Sequence, residues 1–182
     1  MATMNALALC LILALTAAPA QAKERPMSKP QEKISAASQY TVPAGWTASF
    51  KTEQGDPQVV LEKDMHVITV RLAGGEGSRY RASADFLVGF EARSPGGKLA
   101  EKLGGMAVAG QNVMLYRRKV PVALPPPDAS GPSTMTNEEF CVLKAGKLFF
   151  ILSYSYGDTV PDPTYDGLKA WRGFLRGFKL KK

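Results

Sequence analysis

Apolar and polar residues alternate with a two-residue period over much of this chain, and the period lengthens to that of a helix elsewhere. The clearest alternation places His66, Ile68, Val70 and Leu72 on one side of an extended segment and Thr69 and Arg71 on the other, as in a strand with one face against a core. With Gln58–Glu62 it predicts a hairpin. Upstream, Pro43 and Gly45 predict a turn that delivers Trp46 into the start of a strand. Downstream, Gly74-Gly75-Glu76-Gly77 breaks the alternation. Ser83 is then placed to N-cap a helix that carries Phe86, Leu87 and Phe90 on one face and stops before Pro95-Gly96-Gly97.

Leu99–Val108 and Gln111–Val120 predict a second antiparallel pair around Ala109-Gly110. Glu138–Leu143 and Lys147–Tyr156 predict a third around Lys144-Ala145-Gly146. Within that pair Leu148-Phe149-Phe150-Ile151-Leu152 is apolar at every position, the mark of a strand buried on both faces and so mid-sheet. Between the second and third pairs, Pro121–Thr136 carries Pro125-Pro126-Pro127 and reads as a stiff, exposed loop with polyproline II character. The closing helix is predicted to start with Asp162 as N-cap and Pro163 at N1. Leu168, Trp171, Leu175 and Phe178 recur on its core face, with Lys169, Arg172 and Arg176 on another. The order hairpin, helix, hairpin, loop, hairpin, helix gives an α+β fold over residues 40–182: an antiparallel sheet with helices packed on its faces.

The first 22 residues stand apart. Leu7–Leu15 is a short uncharged apolar run, followed by Ala20-Gln21-Ala22, the small-x-small pattern of a signal-peptidase site. Residues 1–22 therefore read as a signal peptide cut before Lys23, giving an exported protein, periplasmic or secreted. Leu9 precedes Cys10 where a lipid-anchoring motif needs a small residue. Lys23–Gln39 is polar, with Pro26 and Pro30, and reads as a disordered tether. About 160 residues then remain for a single domain. No later stretch is apolar for long enough to span a membrane.

The net charge of +7 lies wholly outside the signal. It favours an acidic protein partner in the envelope or an anionic surface, against the plainer reading of a solvated basic exterior. Nucleic acid is not expected, because the basic clusters lack the interleaved aromatics that single strands require. The candidate binding residues are Arg117, Arg118, Lys169, Arg172 and Arg176, together with Pro125, Pro126 and Pro127 as a preformed segment for an aromatic groove. On a strand Arg117 and Arg118 point to opposite faces, so that cluster is split.

Val42-Pro43-Ala44-Gly45-Trp46 at the start, the hairpin-helix-hairpin-hairpin-helix order, and Phe174-Leu175-Arg176-Gly177-Phe178-Lys179-Leu180 at the end resemble the PsbP-like superfamily. The resemblance covers residues 40–182. It implies an α/β/α sandwich and a non-catalytic binding or assembly role, and it carries over no functional residue.

Catalytic and metal chemistry find little purchase. His66 is the one histidine, and Cys141 is the one cysteine left after Cys10. As a nucleophile and base they would make a hydrolase of the Cys/His type, but Cys141 sits in an apolar strand where cysteine serves as a small hydrophobe. One His and one Cys leave a zinc site half built. Gly74–Arg79 lies between strand and helix as phosphate loops do, yet it lacks the Gly-Lys-Ser/Thr ending and carries Glu76. Asp158, Asp162 and Asp166 do not follow calcium-loop spacing. No cofactor is called for. The expected function is an exported, non-catalytic binding or accessory module. The alternatives are the Cys/His enzyme and a peripheral envelope protein held by its basic surface.

Overall fold

The computed structural model describes residues 28–121, 135–157 and 163–181. The hairpin pattern resolves into β2 (Thr47–Glu53), β3 (Asp56–Lys63), β4 (His66–Ala73), β5 (Glu101–Val108), β6 (Gln111–Pro121), β7 (Met135–Ala145) and β8 (Leu148–Tyr156). They form one seven-stranded sheet in the order β2-β3-β4-β8-β7-β6-β5, antiparallel throughout. β8 holds the middle place, as its unbroken apolar run requires. Its Phe150, Leu152 and Tyr154 join Ile68, Val70, Leu72, Cys141 and Leu143 in one core. Its Phe149 and Ile151 join Ala73 and Phe140 in another on the opposite face.

Helices cover both faces. α1 (Lys29–Ala37) and α3 (Gly167–Gly177) close the first core through Ile34, Trp171, Phe174 and Leu175. α2 (Ser83–Val88) lies on the second through Phe86. The chain leaves the sheet at Ala73, in mid-sheet, and re-enters at Glu101 on the far edge, so the α2 segment has to cross that face.

Five expectations need correction. Residues 29–39, read as part of a disordered tether, form α1 and the short strand β1 (Ser38–Gln39). β1 pairs with β9 (Lys179–Leu180) after α3. A single fully buried apolar side chain, Ile34, docks α1. Composition could not reveal this, because the stabilising surface is supplied by β2 and β3.

Ser83 is the first residue of α2 and Ala82 the N-cap, with Asp85 Oδ2 accepting the Ala82 N–H at 3.1 Å. Phe90, expected on the core face of α2, lies beyond it and is 74% exposed. Gly89 ends the helix in an extended conformation and breaks the phase.

α3 starts at Gly167, not after Asp162, which lies outside the described residues. Its N-cap is Asp166, whose Oδ1 accepts the Lys169 N–H at 2.9 Å. Leu168, expected in the core, is exposed, and Phe174 takes the buried place. The start is fixed by contact, since a side chain at Gly167 would run into Tyr154 Oη and the His66 ring.

Candidate functional site

Arg71 is the anomaly from which the site is built. It is a charged residue between Val70 and Leu72 in a strand near the middle of the sheet. Its side chain faces the α2 side, where the register sets Gln58 of β3 beside it and Thr69, Ser153 and Phe140 in the neighbouring row. A further row brings Ser155, Glu138 and Arg118 together. α2 has six residues, a length of about 9 Å. Seven strands span about 29 Å, so α2 leaves part of this face open. The uncovered part is a cleft of about 310 Å³ with Gln58, Arg71, Arg118, Glu138 and Ser153 on its lining and Phe86 and Phe140 at its apolar side.

Charges in the cleft are tied in place. Arg71 Nε donates to Asp56 Oδ2 at 2.7 Å and Nη1 to Glu91 Oε2 at 2.6 Å. Glu91 also takes Arg79 Nη1 at 3.0 Å. Burial by itself would lower the Arg71 pKa, but the hydrogen bonds to Glu91 and Asp56, with their charges, outweigh it and hold the guanidinium above its ordinary value. Arg118 Nε donates to Glu138 Oε2 at 2.5 Å, and its guanidinium lies 5.3 Å from the centre of the Phe140 ring. The network is incomplete. Arg71 Nη2, Gln58 Oε1 and Asp56 Oδ1 are buried and have no hydrogen-bond partner. Gln58 and Arg71 are each more than nine-tenths buried. Such groups cost free energy until something pairs with them. Of these, Arg71 and Gln58 line the cleft, which thus offers one strong donor and one acceptor beside an apolar wall, a set suited to holding a polar group.

The opposite face carries His66 and Cys141, and it separates them. The register puts His66 beside Tyr156, and Cys141 beside Leu152, which pairs in turn with Val70. Four residues along and two strands across place them about 16 Å apart. Cys141 is fully buried, and burial pushes its thiol up to about 12 against the opposing charge of Arg172. The Cys/His dyad is therefore not assembled. His66 belongs instead to an aromatic cluster: its Nδ1 lies 2.9 Å from Tyr154 Oη, with the rings of Tyr156 and Tyr165 at 4.6 and 5.0 Å. Trp46 Nε1 donates to Tyr165 Oη at 2.8 Å. Burial, followed by the nearby acid Asp166, raises the Tyr154 phenol.

The basic residues singled out from the sequence do not form one surface. Arg117 and Arg172 both reach the buried Glu139, at 3.1 and 2.5 Å. Arg118 is on the other face with Glu138. These three candidate binding residues are each engaged by a carboxylate. Lys169 and Arg176 are exposed. Pro125, Pro126 and Pro127 lie outside the described residues, as does Asp158. Gly74–Arg79 is closed on itself: Ser78 Oγ accepts the Gly74 N–H at 3.1 Å and donates to Tyr80 O at 3.0 Å, and Arg79 turns to Glu91. Among the described residues no cluster of three or more His, Cys, Asp or Glu could hold a metal ion. Among them, too, no helix is long and apolar enough to cross a membrane.

The sequence reading missed Arg71, Gln58, Asp56 and Glu91. One signal was available, a lone arginine inside an apolar strand. Its partners lie 15 and 20 residues away and are joined to it only by the register and by the path of the α2 segment.

No protein-family model, curated protein or solved structure matches this chain.

Proposed function

We propose that this protein is an exported, non-catalytic binding or accessory module of the cell envelope, and that the cleft at Arg71 is where it holds a polar segment of a protein partner. The observation that carries this reading is the set of buried, unpartnered groups, Arg71 Nη2 and Gln58 Oε1, beside a cleft that α2 leaves open. A domain selected only for stability gains nothing from them, whereas a binding site needs groups held in place and unspent. The PsbP-like reading belongs here as well. It is supported by the element order and by helices on both faces of one antiparallel sheet. The envelope location rests on Leu7–Ala22. The separation of His66 from Cys141 removes the support for the hydrolase alternative.

The test is capture of partners from the envelope fraction by the tagged protein, comparing the wild type with Gln58→Leu and Arg118→Ala. The wild type should retain a partner that both variants lose while their unfolding transitions stay cooperative. Equal capture by all three would remove the cleft from the account. A native N-terminus at Met1 by intact mass would remove export.

A further inference from the structure

A second feature stands outside the cleft. Val88, Phe90 and Leu99 are 67%, 74% and 70% exposed, more than any other large hydrophobic side chain among the described residues. Val88 ends α2, Phe90 and Leu99 lie in the segment joining it to β5, and Arg93 draws them together. Its Nε and Nη2 donate to Val88 O at 3.2 and 3.1 Å, and its Nη1 donates to Gly97 O at 3.1 Å. Ser94 N donates to Lys98 O at 2.8 Å, and Arg93 and Leu99 form an isolated β-bridge. The Lys119 N–H of β6 ties the segment to the sheet through Ser94 Oγ at 2.9 Å. The apolar tips are therefore held outward by a fixed loop rather than exposed by fraying.

Their surroundings are cationic. Arg93 is held by carbonyls, which leave its charge uncompensated, and Lys98 and Lys119 are exposed. Among the described residues none of these three has an ion-pair partner. The nearest acids in sequence are Glu91, occupied by Arg71 and Arg79, and Glu101, whose Oε2 lies 3.9 Å from Arg117 Nη1.

We infer that this loop docks the protein on an anionic lipid surface, with Val88, Phe90 and Leu99 entering the interface and Arg93, Lys98 and Lys119 meeting the headgroups. The area decides for lipid. Three such side chains present on the order of 400 Å² of apolar surface, about half of the roughly 800 Å² that each partner buries in a stable protein interface. A few apolar tips with a cationic rim do suffice for reversible attachment to an anionic bilayer. The thin Pro95-Gly96-Gly97 turn beside them leaves room for close approach: side chains at Gly96 and Gly97 would meet nothing.

The test is co-sedimentation with vesicles of phosphatidylethanolamine and phosphatidylglycerol, against vesicles of phosphatidylcholine alone. All forms should share one N-terminus, fixed by intact mass, so that any contribution of Leu7–Leu15 cancels. The wild type should bind the anionic vesicles and release as salt rises. Phe90→Ser with Leu99→Ser should weaken binding about tenfold. Lys98→Gln and Lys119→Gln should each weaken it about fivefold. All four residues are exposed, so these variants should unfold at wild-type denaturant concentrations. In Phe90→Trp the added emission should shift to the blue on anionic vesicles, over the constant signal of the buried Trp46 and Trp171. Absence of wild-type binding at low salt, or undiminished binding by the Phe90/Leu99 variant, would overturn the inference. So would loss of a captured envelope protein, rather than of vesicles, on the same substitutions.

Discussion

On one face of the sheet β8 gives Phe150, Leu152 and Tyr154 to a core that α1 and α3 close. On the other, the same strand gives Phe149, Ile151 and Ser153 to a surface that α2 covers in part. Both faces hold buried charge. Glu139 on the closed face is gripped by Arg117 and Arg172. Arg71 on the open face is gripped by Asp56 and Glu91 and still keeps Nη2 unpaired. The closed face has unpartnered donors of its own, Trp171 Nε1 and Arg172 Nη1. Trp171 has no exposed surface, whereas on the open face Arg71 Nη2 and Gln58 Oε1 belong to residues that line the cleft, though Asp56 Oδ1 and Tyr80 Oη, unpaired on the same face, do not. Helix length accounts for much of the difference. The eleven residues of α3 set Trp171, Phe174 and Leu175 on the sheet, and Phe178 follows just beyond; the six of α2 set Phe86. α1 and α3 close one face, and α2 leaves part of the other open.

The largest effect should come from the closed face. Trp171→Ala removes a fully buried indole that stacks between Tyr154 and Phe174. It should cost about 3–5 kcal/mol by chemical denaturation, a large share of the stability of a domain of this size. A loss under about 1 kcal/mol would mean that α3 does not close the core, and the contrast between the faces would fail.

The same contrast explains how much was legible in the sequence. The alternation at His66–Leu72 and the unbroken run at Leu148–Leu152 were readable because each is a local pattern with one physical meaning, one face or two faces buried. Phe174 was missed because a fit to Leu168, Trp171, Leu175 and Phe178 also has helical spacing. The true register is set by the fit of Gly167 against Tyr154 and His66, a contact between residues far apart in the chain. α1 was unreadable for a related reason: its few apolar groups suffice only because β2 and β3 are already there. The Arg71 cleft was visible as one misplaced charge and no more.

A smaller effect depends on pH. Cys141 is held as the neutral thiol, with its pKa moved from 9.0 to about 12, mainly by burial. A group whose folded pKa is raised contributes its full stability below the unfolded value and loses it as pH rises toward the folded value. Stability should therefore be flat up to about pH 9 and decline from there toward about pH 12. The raised Tyr154 phenol adds to the decline. Denaturation midpoints across this range for the wild type and Cys141→Ala give the check, and the variant should decline less. The native thiol should also react slowly with a thiol reagent at neutral pH and quickly once unfolded. Fast native labelling would open the closed face.

The smallest effect is the most diagnostic, because its sign separates the two faces. Gln58 is a buried polar residue on the open face whose Oε1 has no partner. On a face built for stability, replacing a buried side chain disturbs packing and lowers stability. On a face built for binding, the orphan acceptor is a standing cost, and a leucine of similar size removes it while keeping contact with the apolar wall. Gln58→Leu should accordingly leave stability unchanged or raise it by up to about 1 kcal/mol. Partner capture should fall in the same variant. Equilibrium denaturation and capture on one preparation decide the matter together. A destabilisation above about 1 kcal/mol would place Gln58 among the structural residues. The open face would then be an unfinished version of the closed one, with no binding role to explain its unpaired groups.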